Sequence, residues 1–200
     1  SASYAVESYQ SLYLKAYFPI EFMVAAINNG GGFYRTEVYV HECRMSGGII
    51  HNPCVNKSMF ETTVYGKDVF LGLMHIEKLE SRLAQFIPEE RERNGDFTSL
   101  ENFIKRVPIG IETLQILIFA GAFRFTGKKK NELLIEARLI MVNFKPVHRF
   151  HSIFEEEPKK EYRLPELKRN RFEDAFDEIE ILGFPVSCSP FDLLETKRSE

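Results

Sequence analysis

A mainly α-helical fold, a helical bundle with one small β-hairpin near residues 49–71, is predicted by three observations on the sequence. Apolar side chains recur three to five residues apart through most of the chain, the period of one helix face. Glycine, asparagine and proline interrupt those runs where helices would end or begin. Only between Ile49 and Leu71 does the pattern change to short, β-branched stretches.

The elements follow in order. Tyr4, Tyr9, Leu12, Tyr13, Ala16 and Tyr17 share one face of a first helix over 4–17, and most of these rings are expected to serve packing. Pro19 suits the first turn of a second helix, which Asn28-Asn29-Gly30-Gly31-Gly32 closes. Tyr34, Val38, His41 and Met45 mark a third helix, stopped by Gly47-Gly48. Tyr65-Gly66-Lys67-Asp68 is a turn between two short strands. Helical spacing returns at Ile76, Leu79, Leu83 and Phe86, and Pro88 is expected to kink or end that helix. Thr98 with Glu101 reads as a capping box before Leu100, Phe103 and Ile104. Leu114, Leu117 and Ile118 belong to a helix stopped by Gly121, and Gly127 precedes another that holds Leu133, Leu134 and Ala137. Residues 145–165, with three prolines and runs of like charge, read as a linker. A last helix, roughly Arg171 to Leu182, puts Phe172, Phe176, Ile179 and Leu182 on one stripe and meets Gly183.

Composition narrows the function classes. The 200 residues are 44% hydrophobic, enough for a real core, and 28% charged, which excludes a disordered tail. A net charge of -3 excludes a uniformly basic nucleic-acid binder, so any phosphate contact must come from a local patch. Three widely spaced cysteines offer no disulfide framework, and no apolar run is long enough to span a membrane. The expectation is a cytoplasmic protein without membrane contact. Ser1 in place of Met points to a processed chain or a piece of a longer one.

Four groups of residues carry possible chemistry. His41, Cys43, His51 and Cys54 could in principle hold zinc, but His41 and Cys43 lie roughly 200° apart around a helix, and a half-buried cysteine with surface histidines is the better reading. Arg124, Lys128, Lys129 and Lys130 straddle Gly127 at a helix start. Free amides and four cations there could bind a phosphate; a solvated loop would look the same. Lysines at a helix N-terminus oppose the macrodipole and therefore want a reason. Glu89-Glu90-Arg91-Glu92-Arg93 reads as a solvated face knitted by its own ion pairs, and Asp174, Asp177 and Glu178 as acidic surface residues of the last helix. No catalytic motif is visible, and no cofactor or metal site is expected in these residues.

The order of several short motifs closely resembles bacterial DNA polymerase III alpha subunits, which are C-family DNA polymerases. Ser3-Tyr4-Ala5, Ser8-Tyr9-Gln10, Tyr13-Leu14-Lys15-Ala16 and Pro19-x-Glu21-Phe22-Met23 resemble the end of the family's fingers domain. Glu42-Cys43-Arg44-Met45, Pro53-x-Val55-Asn56-x-Ser58, Leu71-Gly72-Leu73, Phe97-x-Ser99-Leu100-Glu101 and Leu117-Ile118-x-Ala120-Gly121-Ala122-Phe123 resemble its helix-hairpin-helix region. Leu182-Gly183-Phe184-x-x-Ser187 with Pro190-Phe191 resembles the stretch leading to an OB-fold domain.

The resemblance implies a division into 1–46 (end of the fingers), 47–143 (tandem helix-hairpin-helix elements) and 144–200 (linker and helix). It implies a non-catalytic fragment of a DNA-directed DNA polymerase, a nucleotidyltransferase, whose Mg²⁺-binding palm lies elsewhere in the parent. Its partners would be duplex primer–template DNA, held without reading sequence, and the other domains of the parent. Arg124, Lys128, Lys129, Lys130 and Lys78 are then the expected DNA contacts, and Tyr4 and Lys15 would lie near nucleotide or template. The chain departs from the family at the first hairpin. Where the family has Lys-Gly-hydrophobic-Gly after an isoleucine, this chain has Ile76-Glu77-Lys78-Leu79-Glu80. Both glycines are missing, and Glu77 and Glu80 would sit where phosphate should approach, so weakened DNA binding is expected there. A helical protein-interaction scaffold is the alternative.

Overall fold

A computed structural model describes residues 2–30, 32–143, 172–188 and 193. The linker expected over 145–165 lies outside the described residues. Eight α-helices and three short strands are described: α1 (Ala2–Tyr17), α2 (Pro19–Asn28), α3 (Thr36–Met45), β1 (Ile49–His51), β2 (Thr63–Tyr65), β3 (Asp68–Phe70), α4 (Ser81–Asn94), α5 (Leu100–Arg106), α6 (Ile111–Phe119), α7 (Lys130–Asn143) and α8 (Glu173–Leu182). Single 3₁₀ turns stand at Leu73–His75 and Arg124–Thr126. The mainly helical prediction holds.

Helix ends fall where glycine can take the left-handed conformation. Gly127 (φ 69°) precedes α7 and Gly183 (φ 83°) closes α8. Two local expectations are corrected. The cap of α5 is Ser99, whose hydroxyl accepts the Asn102 amide at 3.0 Å, while Asn102 Oδ1 accepts the Thr98 amide at 3.4 Å; the box is one residue later than Thr98–Glu101. Pro88 does not end the helix but sits buried inside α4.

The sheet has the order β1-β3-β2. β2 and β3 form the expected hairpin across Gly66 (φ 64°), and β1 joins in parallel with Ile50 opposite Val69. The loop between β1 and β2 is held by side chains more than by strands. Buried Ser58 accepts the Cys54 amide and donates to the Leu71 carbonyl at 2.7 Å. Asn56 pairs with both backbone groups of Phe97 at 2.8 Å. Arg91 donates to the carbonyls of Val55 and Ser58. Arg91 thus turns inward, as does Glu90, which accepts from Arg106 Nε at 3.1 Å; only Arg93–Glu89 behaves as the solvated ion pair expected of that run. The guanidinium of Arg106 keeps the Glu90 carboxyl below its ordinary pKa.

A large core joins α4–α8 to Val55, Leu71 and Leu73, centred on Phe97, Phe103 and Phe123. A smaller one joins Met23, Val24, Cys43 and Val69. Asn28 of α2 ties the two regions by pairing with both the amide and the carbonyl of Thr62 at 2.8 Å. The Thr62 hydroxyl contacts His75 Nε2 at 3.0 Å, and burial pushes that imidazole below its ordinary pKa. By contrast Tyr4, Tyr9, Tyr13 and Tyr17 of α1 are exposed, so the tyrosine face expected to pack is uncovered within the described residues.

Candidate nucleic-acid interface

Two short turns lie where the resemblance expects helix-hairpin-helix elements. The first runs from the 3₁₀ turn at Leu73–His75 through Ile76–Glu80 into α4. Lys78 takes φ 65° there, the one non-glycine residue with positive φ among the described residues. It occupies the position where the family resemblance expects glycine, and it is exposed. The backbone adopts a left-handed turn there although lysine does not suit it. The Glu77 amide is already engaged, donating to the Ile181 carbonyl of α8 at 2.8 Å. Lys78→Gly should therefore stabilise the chain by roughly 0.5–1 kcal/mol by removing left-handed strain. A raised urea midpoint at unchanged m value checks this; a lowered midpoint contradicts it.

The second turn, Val107-Pro108-Ile109-Gly110, connects α5 to α6. Val107 ends α5 by donating to the Phe103 carbonyl at 2.9 Å. Gly110 is the N-cap of α6 and offers no side-chain cap, so the first amides of α6 lack a capping side chain at that residue. Its φ is -83°, which any residue adopts, and no atom lies within 4 Å of where a Cβ would stand. Among the described residues, neither backbone conformation nor a close neighbour requires glycine at this N-cap position.

The four cations around Gly127 are not equivalent. Lys130 opens α7 with its side chain only 8% exposed, and its ammonium lies 3.0 Å from Asp174 and 2.8 Å from Asp177 of α8. Arg124, half exposed, donates to Asn52 Oδ1 at 3.0 Å and to Glu178 Oε1 at 2.9 Å. Lys128 pairs on the surface with Glu136 at 2.7 Å. Lys129 is exposed. The reason wanted for a cation at the start of α7 is thus, for Lys130, the acidic side of α8. Lys128 and Lys129 stay on the surface, Lys128 against Glu136.

Glu178 is the residue that sequence reasoning misplaced. Expected on the surface, it is completely buried. Its carboxylate accepts from Asn52 Nδ2, Arg124 Nη2 and the amides of Val186 and Ser187, at 2.7–2.9 Å. The inward face of α8 is Ala175, Glu178, Ile181 and Leu182, whereas Phe176 is 60% exposed. Of the predicted stripe Phe172, Phe176, Ile179 and Leu182, only Leu182 belongs to the buried face.

The remaining candidates separate. Lys15 makes an exposed ion pair with Glu42 at 3.1 Å, and Tyr4 is exposed. Cys43 is buried, which pushes its thiol up to about 11, while His41 is exposed. No group of three His, Cys, Asp or Glu converges to hold a metal among the described residues. No described helix is long and apolar enough to cross a membrane.

Residues 47–133 match the helix-hairpin-helix motif family. Over 133 residues, 64% of this chain, it is 35% identical to "DNA polymerase III subunit alpha" of Thermus aquaticus, covering 11% of that protein. It is 31% identical over 205 residues to the protein of the same name in Treponema pallidum, covering 96% of this chain and 18% of the relative. An "Error-prone DNA polymerase" of Mycobacterium tuberculosis is 33% identical over 135 residues, 66% of this chain and 12% of the relative. The chain spans less than a fifth of the length of each of these relatives.

Proposed function

This chain is homologous to a segment of bacterial DNA polymerase III alpha subunits, and on that premise we propose that it supports duplex primer–template DNA behind a polymerase active site without itself carrying catalysis. In this reading 1–46 is the end of the fingers, 47–143 the helix-hairpin-helix domain and 144–200 the passage toward an OB-fold domain. Nucleotidyl transfer belongs to a palm with Mg²⁺-binding aspartates in the parent. The cytoplasm is the corresponding compartment.

The observation that carries the proposal is the second hairpin. Among the described residues neither φ nor a close neighbour demands glycine at Gly110, since its φ is ordinary and its Cβ position open. Close approach of a phosphate to the uncapped start of α6 supplies the missing reason for glycine. Lys128 and Lys129 add surface charge. Contacts of this type hold the DNA backbone without reading bases.

A scaffold without DNA binding is favoured by one specific feature. The first hairpin replaces glycines with Lys78 and Glu80, and its Glu77 amide is spent on α8. Titration of a fluorescent primer–template duplex at low salt decides between the readings. Gly110→Val places its Cβ where no described atom lies within 4 Å and should weaken binding about 3–10-fold. Lys128→Glu with Lys129→Glu should lower the affinity at least tenfold and reduce the salt slope by up to about 2. Absence of binding at tens of micromolar, or binding that both variants leave untouched, overturns the DNA reading in favour of the scaffold.

A further inference from the structure

We propose that α8 guards the cation cluster around Gly127: its carboxylates occupy Lys130 and Arg124, so that a DNA phosphate reaches them only by competing with the helix. This regulation of the site rests on the duplex-binding reading above. The geometry is specific. Lys130 is bracketed by Asp174 and Asp177, and Arg124 is held by Glu178. A cavity of about 50 Å³ lies beside these cations, lined by Gly121, Phe123, Arg124, Lys128, Lys130 and Asp174.

The composition of α8 supports a charge-masking role beyond capping. Its ten residues, EDAFDEIEIL, carry five carboxylates and no cation. The helix dipole accounts for Glu173 and Asp174 in the first turn. It does not account for Asp177 and Glu178, which are placed further along and meet Lys130 and Arg124. The two contacts differ in strength. Glu178 is fully enclosed by four donors and anchors the helix. Asp174 and Asp177 are about 30% exposed while the Lys130 ammonium between them is nearly buried, so a phosphate reaches it only where these carboxylates give way. The guard therefore acts on Lys130 first and leaves the anchor intact.

Asp174→Asn with Asp177→Asn tests this in the whole chain, using fluorescent primer–template duplex as the probe. Duplex affinity should rise about 3–10-fold, and the salt slope should steepen by roughly 0.9, one phosphate contact. Adding Lys130→Met should cancel both gains, which a general change of net charge would not do. Asp177→Asn alone keeps one partner for Lys130 and should give a smaller rise, so the proposal remains testable if the double variant folds poorly. Affinity and slope equal to those of a wild type that binds would overturn the guard and leave the duplex reading standing. No binding by any variant would overturn both.

Discussion

Glu178→Ala is expected to destabilise the chain by about 3–4 kcal/mol, measured by urea unfolding. The carboxylate lies in the core yet accepts four hydrogen bonds, two of them from backbone amides of the segment after α8. Removing it strands the buried Val186 amide and one N–H of the buried Asn52 side chain, whose bond to the Ala120 carbonyl at 3.3 Å remains. The cost of an orphaned buried donor exceeds the net worth of an ordinary hydrogen bond, so the loss is large even though half-exposed Arg124 recovers water. Glu178→Gln does not restore stability. Every partner of the group is a donor, and an amide presents one oxygen and one further donor where two oxygens are needed. A loss below 1 kcal/mol for Ala, or wild-type stability for Gln, would show that α8 is held by its apolar contacts alone.

Glu178 also marks where the sequence stopped being legible. Local signals were easy to read: Pro19 at the first position of α2, Gly127 before α7, Gly183 after α8, and the turn at Gly66. Each acts through the backbone of its own neighbourhood. The capping box missed by one residue because Thr98 and Ser99 are both competent caps, and only the Asn102 bonds choose between them. The face of α8 was chosen by donors far away in sequence, Asn52 being 126 residues distant, and outward Phe176 shows that period alone does not reveal them. The same distance effect turned Arg91 and Glu90 inward from a run that looked like plain surface. At Lys78 the opposite happened. The family resemblance located a glycine turn, and the backbone keeps φ 65° there despite the substitution, because Ile76 and the following helix are fixed in the core.

At the candidate site itself, residue types were legible and their partners were not. Four cations near Gly127 were visible in the sequence, but their division into two held by α8 and two on the surface depends on residues 174–178. Gly110 drew no attention as a letter. Its meaning comes from an ordinary φ and an empty Cβ position, neither of which a sequence contains.

Phe103→Ala is expected to cost about 4 kcal/mol, the other large effect. Phe103 is fully buried in α5, with its ring edge-on to Phe97 at 4.9 Å and to Phe123 at 5.0 Å between centroids. Truncation removes two aromatic contacts and leaves a cavity between α5 and the segment that follows α6. The surrounding structure has little room to collapse. Phe97 is fixed by Asn56 through both backbone groups and is covered by the Arg106 guanidinium 4.3 Å above its ring. Phe103→Leu fills most of the volume and should cost only about 1 kcal/mol. The functional consequence follows from position: the Phe103 carbonyl receives the Val107 amide that ends α5 and begins the second hairpin. If Gly110 presents α6 to phosphate, duplex affinity in the Ala variant should fall together with stability, and the Leu variant should retain most of both. A stable Ala variant would mean that the ring cluster is not what holds the second hairpin in place.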